Sequence, residues 1–128
     1  MSYGFSRTVP LSYEDAVKRV TEELKKEGFG VLTTIDVKAT LKQKLNVDFN
    51  NYVILGACNP PFAYQALLAE EQIGLLLPCN VIVYEKGGIT TVAAFDPMSM
   101  GYVMKNDAML PIAEEINTKL QRVINALA

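Results

Sequence analysis

Two cysteines are the residues of this chain best suited to chemistry, and each is followed by asparagine, as Cys58-Asn59 and Cys79-Asn80. Cys58 closes an apolar run and stands just before Asn59-Pro60-Pro61, a sequence that starts a helix with Asn as cap and Pro at the first position. A thiol there meets the positive end of the helix dipole, which favours thiolate and makes Cys58 the best nucleophile in the chain. The plainer reading is a small buried hydrophobe, since free cysteine is among the most buried residue types. Cys79 follows Pro78 at the start of another apolar run, so two Cys-Asn pairs at the ends of neighbouring elements would bring both thiols to one rim. A thiol-reactive ligand, a disulfide or a metal would fit such a rim. With no histidine and two cysteines, one chain cannot assemble a four-ligand Cys/His zinc site, and a metal would need four thiolates across a two-fold dimer.

The lack of histidine also removes Ser-His-Asp and Cys-His catalysis and imidazole acid-base chemistry near pH 7. Acid-base work would fall to Asp96, Glu85, Glu70, Glu71 or to tyrosines such as Tyr64, Tyr84 and Tyr102. Asp96 precedes Pro97 and reads first as a turn or cap residue. Glu70 and Glu71 are adjacent, so on a helix they point apart and do not form a glycosidase-type pair. Pro60 and Pro61 remove two N–H groups that a phosphate at that helix start would need. Met98, Met100, Met104 and Met109 offer soft sulfur, with core filling or an adaptable contact surface the commoner use. No residue is singled out as catalytic, and no cofactor is assigned.

These residues sit in an electrically quiet stretch. From Phe49 to Phe95 the charged residues are Glu70, Glu71, Glu85 and Lys86, and all basic residues except Lys86, Lys105, Lys119 and Arg122 lie before Asn46, mixed with acids. The formal charge is -2 over 128 residues with 50% hydrophobic composition, an ordinary globular balance for one domain spanning residues 1–128. No basic face for nucleic acid is expected. Residues 1–11 lack the apolar core of a secretory signal, and QIGLLLPCNVIVY is too short and too broken by Pro78 to span a bilayer. A cytoplasmic protein with two reduced thiols, making no membrane contact, is expected.

The elements that must position the thiols follow from periodicity. Tyr3, Phe5, Arg7 and Val9 alternate as a strand before Pro10. Ser12 caps a helix carrying Ala16, Val17, Val20 and Leu24, with Gly28 as its stop. Val31 to Ile35 is a strand, and Asp36 caps a short outer helix from Val37 to Asn46. Tyr52 to Cys58 is a central strand, Phe62 to Gln72 a helix ended by Gly74, and Val81 to Glu85 and Ile89 to Phe95 a hairpin turned by Gly87-Gly88. A methionine-rich loop from Met98 to Met109 leads to a last helix with Ile112, Ile116, Leu120, Val123, Ile124 and Leu127 on one face. The order β-α-β-(α)-β-(α)-β-β-α, with its hairpin, points to an α+β domain whose helices cover one face of a mostly antiparallel sheet; a doubly wound parallel sheet is the alternative.

Gly56-Ala57-Cys58-Asn59-Pro60, Ala63, Leu67, the run Ile73-Gly74-Leu75-Leu76-Leu77-Pro78-Cys79-Asn80-Val81 and Asp96-Pro97 together resemble the domain of unknown function 302 family over nearly the whole chain. The resemblance implies a curved antiparallel sheet crossed by a long C-terminal helix, similar to a single TATA-binding-protein-like unit (β-α-β-β-β-β-α with inserted helices), and a homodimer. It implies no reaction and no DNA binding. The expected function is binding of a small apolar or thiol-reactive ligand at Cys58, Asn59, Pro60, Pro78, Cys79, Asn80 and Asp96. A thiol-redox or metal-dependent enzyme using Cys58 and Cys79 is the rival, and a protein-interaction module built on the methionine-rich loop is the third possibility.

Overall fold

The structure is a computed structural model that describes residues 3–102 and 105–127. Its elements in order are β1 (Gly4–Val9), α1 (Tyr13–Lys26), β2 (Gly30–Asp36), α2 (Val37–Leu45), β3 (Tyr52–Cys58) and α3 (Pro60–Ala69). A 3₁₀ segment (Glu71–Leu76), β4 (Cys79–Lys86), β5 (Ile89–Phe95), two 3₁₀ segments (Pro97–Tyr102 and Asp107–Met109) and α4 (Leu110–Asn125) complete the chain. The fold is α+β, and the five strands form one sheet in the order β1-β5-β4-β3-β2. Every neighbouring pair is antiparallel.

Local chemistry accounts for the boundaries. Ser12 Oγ accepts from Asp15 N at 3.1 Å and opens α1, and Asp36 Oδ1 accepts from Ala39 N at 2.9 Å and opens α2. Gly28 at φ 87° stops α1. Gly87 and Gly88, both at positive φ, turn β4 into β5.

Strand alternation decides which side of the sheet is core. Val53, Leu55 and Ala57 on β3 stand opposite Val83, Val81 and Cys79 on β4, and Val83 and Val81 stand opposite Val92 and Ala94 on β5. All of these are buried, and they share one cluster with Ala16, Val20 and Leu24 of α1 and Ile116, Leu120, Val123 and Ile124 of α4. Both helices therefore cover the same face. Polar contacts hold the end of α4 in place. Arg7 donates to the Asn125 carbonyl at 3.0 Å, Arg19 to the Ala126 carbonyl at 3.0 Å, and Arg122 contacts Glu27 through two nitrogens at 3.1 and 2.9 Å. Cationic groups near a helix C-terminus satisfy its open carbonyls and oppose the dipole.

The other face carries Ile54 opposite Ile82 and Tyr52 opposite Tyr84, all half-buried. The two tyrosine rings stack with centroids 5.5 Å apart and planes 11° apart, and Phe49 stands 6.2 Å from Tyr52.

Two sequence expectations need correction. The helix read as Phe62 to Gln72 ends at Ala69, because Glu70 turns extended and Asn106 Nδ2, from far along the chain, donates to the Ala69 carbonyl at 2.9 Å. Residues through Leu76 continue as 3₁₀. The methionine-rich loop contains two 3₁₀ segments, the second capped by Asn106 Oδ1, which accepts from Ala108 N at 3.0 Å. Val103 and Met104 of that stretch lie outside the described residues, as does the side chain of Tyr102.

Candidate functional site

Where the C-terminal end of β3 meets the start of β4, the sheet stops short of the helices and leaves a hollow of about 330 Å³. Ala57, Cys58, Pro78 and Cys79 form its base, Phe29, Leu32 and Thr33 one side, and Phe62, Ala63, Ala66 and Leu67 of α3 the roof. Ile73 and Leu77, then Pro97, Met100 and Met109, and finally Ile112, Ala113 and Ile116 of α4 close the remainder. Together with Asn59 these make up the wall among the described residues, and none of them carries a charge. A hollow of this size with an apolar wall and a few uncharged polar groups has the make-up of a small-molecule site.

Each polar group in the wall is placed by a specific local cause. Ala57 is the cross-strand partner of Cys79, so Cys58 lies one residue beyond that rung, and both thiols are free. Cys79 is buried and Cys58 half-buried. Burial first, and the proximity of Cys58 second, push the Cys79 thiol from its ordinary 9.0 up to about 11. Near neutral pH it is a thiol and a poor nucleophile.

Asn59 was expected to cap α3, but its side chain makes no capping bond. A cap bonds to the second or third N–H of a helix, and here the first two positions are Pro60 and Pro61. The amide turns the other way, and Nδ2 donates to the Glu27 carbonyl at 3.1 Å. Gly28 makes room for it, since a Cβ at Gly28 would stand 3.1 Å from Asn59 Nδ2. Asn59 is only 6% exposed. Its Oδ1 accepts no hydrogen bond among the described residues, and no side-chain oxygen or nitrogen there is both sealed off and unpaired. That oxygen is therefore still reachable.

Gly56 performs a similar service for the base. A Cβ on it would run into the Thr33 hydroxyl and come within 2.8 Å of Pro78 Cγ. Glycine inside a strand lets Thr33 and Pro78, both wall residues, close over the backbone.

Of the residues singled out from sequence, Cys58, Asn59, Pro78 and Cys79 come together in the wall, and Pro60, Asn80 and Asp96 stand apart from it. Pro60 is exposed at the start of α3. Asn80 is exposed and pairs with Gly56, so it projects from the face opposite Cys79. Asp96 Oδ1 accepts from Met98 N at 2.9 Å and from Asn117 Nδ2 at 2.6 Å, which makes it a turn cap tied to α4. Two of the other carboxylates raised for acid-base work are also engaged, and Glu71 is exposed and outside the wall. Glu85 accepts from Asn51 at 3.0 Å and Glu70 from Asn106 at 3.1 Å. Among the described residues no three of His, Cys, Asp and Glu are grouped to hold a metal.

Sequence reading missed Thr33, Phe62, Met100, Met109 and Ile112 as wall residues. Gly56 inside an otherwise apolar strand was the available signal for a close approach there. Met100, Met109 and Ile112 are brought in by α4 packing across the sheet, which no local pattern announces.

The family described as domain of unknown function DUF302 matches residues 5–127. A crystal structure of an uncharacterized conserved protein DUF302 from Bacillus stearothermophilus shares the fold with a TM-score of 0.92 and 30% sequence identity, over 100% of each chain. No curated protein matches the sequence.

Proposed function

The chain belongs to the DUF302 family, and from that premise we propose that it is a binding protein for a small apolar molecule held between the ends of β3 and β4 and the roof of α3 and α4. The observation that carries this reading is the uncharged wall around a hollow of about 330 Å³. Apolar groups placed there leave water at roughly 25 cal/mol per Å² of buried area, with no charged side chain to desolvate.

The rival, a thiol enzyme, is less well supported. Cys79 is held as a thiol, and of the candidate carboxylates Asp96, Glu85 and Glu70 are already hydrogen-bonded within the fold. Capture of a thiol-reactive apolar molecule by half-buried Cys58 remains a variant of the binding reading. The contact-surface reading of the methionine-rich loop loses two of its residues to the wall, since Met100 and Met109 are both buried. We place the molecule in the cytosol as a homodimer. Support comes from its two free thiols and from exposed apolar side chains such as Ile35, Leu45 and Phe49. Among the described residues no helix is long and apolar enough to cross a membrane.

Naphthalene, an uncharged probe of ten heavy atoms, tests the reading by ligand-observed NMR. Wild-type protein is expected to bind it, and Ala63→Leu together with Ala113→Leu, which fill the hollow from two sides, to abolish binding while keeping the melting transition. Equal binding by the filled variant would show that the probe sits elsewhere.

A further inference from the structure

We propose that the ligand of this hollow is an uncharged molecule of about ten heavy atoms that donates one hydrogen bond to Asn59 Oδ1, such as a medium-chain alcohol, and that carboxylates are turned away. This rests on the binding reading above and names its ligand class.

The size follows from the volume. At the roughly 30 Å³ that a heavy-atom group occupies in a liquid, a hollow of about 330 Å³ holds around ten of them. Charge follows from the wall, which among the described residues contains no Lys or Arg to neutralise an anion and no Asp or Glu to neutralise a cation. The Lys119 ammonium lies 5.9 Å from the centroid of the Phe62 ring, but Lys119 is not part of the lining. An ion brought in would lose its water without gaining a partner.

Polarity follows from Asn59. Its Nδ2 is engaged by the Glu27 carbonyl, which fixes which end of the amide is the nitrogen and leaves the oxygen as the unfilled site. The residue is more than nine-tenths buried and belongs to the wall. An acceptor placed there calls for a hydroxyl or N–H on the ligand. Ethers and carboxylates bring only acceptors to it. A site whose buried acceptor is left unmatched discriminates against the analogue that cannot fill it.

The test compares nonan-1-ol with methyl octyl ether, an isomer that has the same heavy atoms but no donor, and with octanoate, by NMR titration of the full chain at pH 7.5. The alcohol is expected to bind roughly 3- to 10-fold tighter than the ether, the range of one net hydrogen bond, and octanoate at least about 100-fold more weakly. In Asn59→Ala the alcohol and the ether should bind alike; should that variant fail to fold, the wild-type series decides alone. Equal binding of alcohol and ether by wild type overturns the donor assignment while leaving the apolar pocket standing. Tightest binding by octanoate overturns the charge assignment. Binding of none of the three, with naphthalene also unbound, overturns this inference together with the reading beneath it.

Discussion

Cys79 provides a quantitative test of how the base of the hollow is built. Its thiol is held at about 11 against an ordinary 9.0, chiefly because burial disfavours the anion. Alkylation by iodoacetamide proceeds through thiolate, so at pH 7 the reactive fraction falls from about 1 in 100 to about 1 in 10,000, one factor of ten for each pKa unit. In a Cys58→Ser background, alkylation of native Cys79 should be about 100-fold slower than in guanidinium-unfolded chain from ionisation alone, with steric protection adding to it. The rate should climb about tenfold per pH unit through pH 10 with no plateau. The same shift has a stability consequence of definite sign. Between pH 9 and 11 the unfolded chain has lost this proton and the folded chain keeps it, so stability is intact below pH 9 and declines above it. The decline is about 1.4 kcal/mol per pH unit midway and levels off at about 2.7 kcal/mol above pH 11. Intact-mass kinetics and urea melts at pH 8, 9 and 10 read both effects, and Cys79→Ala should flatten the alkaline limb. A native rate equal to the unfolded one at pH 7, or a rate profile that levels below pH 9, would refute the burial argument and reopen thiol chemistry at this position.

Other expectations concern the supports of the site. Gly56→Ala drives a methyl into Thr33 and Pro78 and should cost about 1–3 kcal/mol in a urea melt, with naphthalene binding weakened in parallel. Asn106→Ala removes the donor to Ala69 and Glu70 and the cap at Ala108, and should cost about 1–3 kcal/mol, with faster amide exchange concentrated at the end of α3. In acid, Glu23 is held below its ordinary range first by the Lys26 hydrogen bond, and Glu27 first by that of Arg122. Their stabilisation is present above pH 4.5 and fades as pH falls through the lowered values, so Glu27→Gln should make the acid limb of the melting curve shallower.

Periodicity in the sequence carried most of the fold. Alternation on β1, β4 and β5, the apolar run of β3, the Ser12 and Asp36 caps, the Gly28 stop and the Gly87-Gly88 turn are local signals, and the structure uses each of them. The end of α3 was not legible, because what stops it is Asn106, distant in sequence, with no nearby breaker until Gly74. Asn59 was misread for a reason the sequence did contain. The second of the two prolines after the cap residue removes one of the two N–H groups it could cap, leaving its amide for a tertiary partner. Asn80 shows the same lesson in a strand, where neighbours point apart and Cys79 inside requires Asn80 outside. Asp96 reads as a turn or cap residue and is one, and what the sequence does not show is Asn117, on a helix that reaches the same carboxylate only in three dimensions.

The cofacial rings of Tyr52 and Tyr84 make this chain unusually easy to watch. With no tryptophan and six tyrosines, its near-ultraviolet dichroism has no indole bands to hide behind, and two phenols 5.5 Å apart couple as an exciton pair. Because one ring hangs from β3 and the other from β4, that optical signal reports directly on the pairing of the two strands whose far ends form the floor of the hollow.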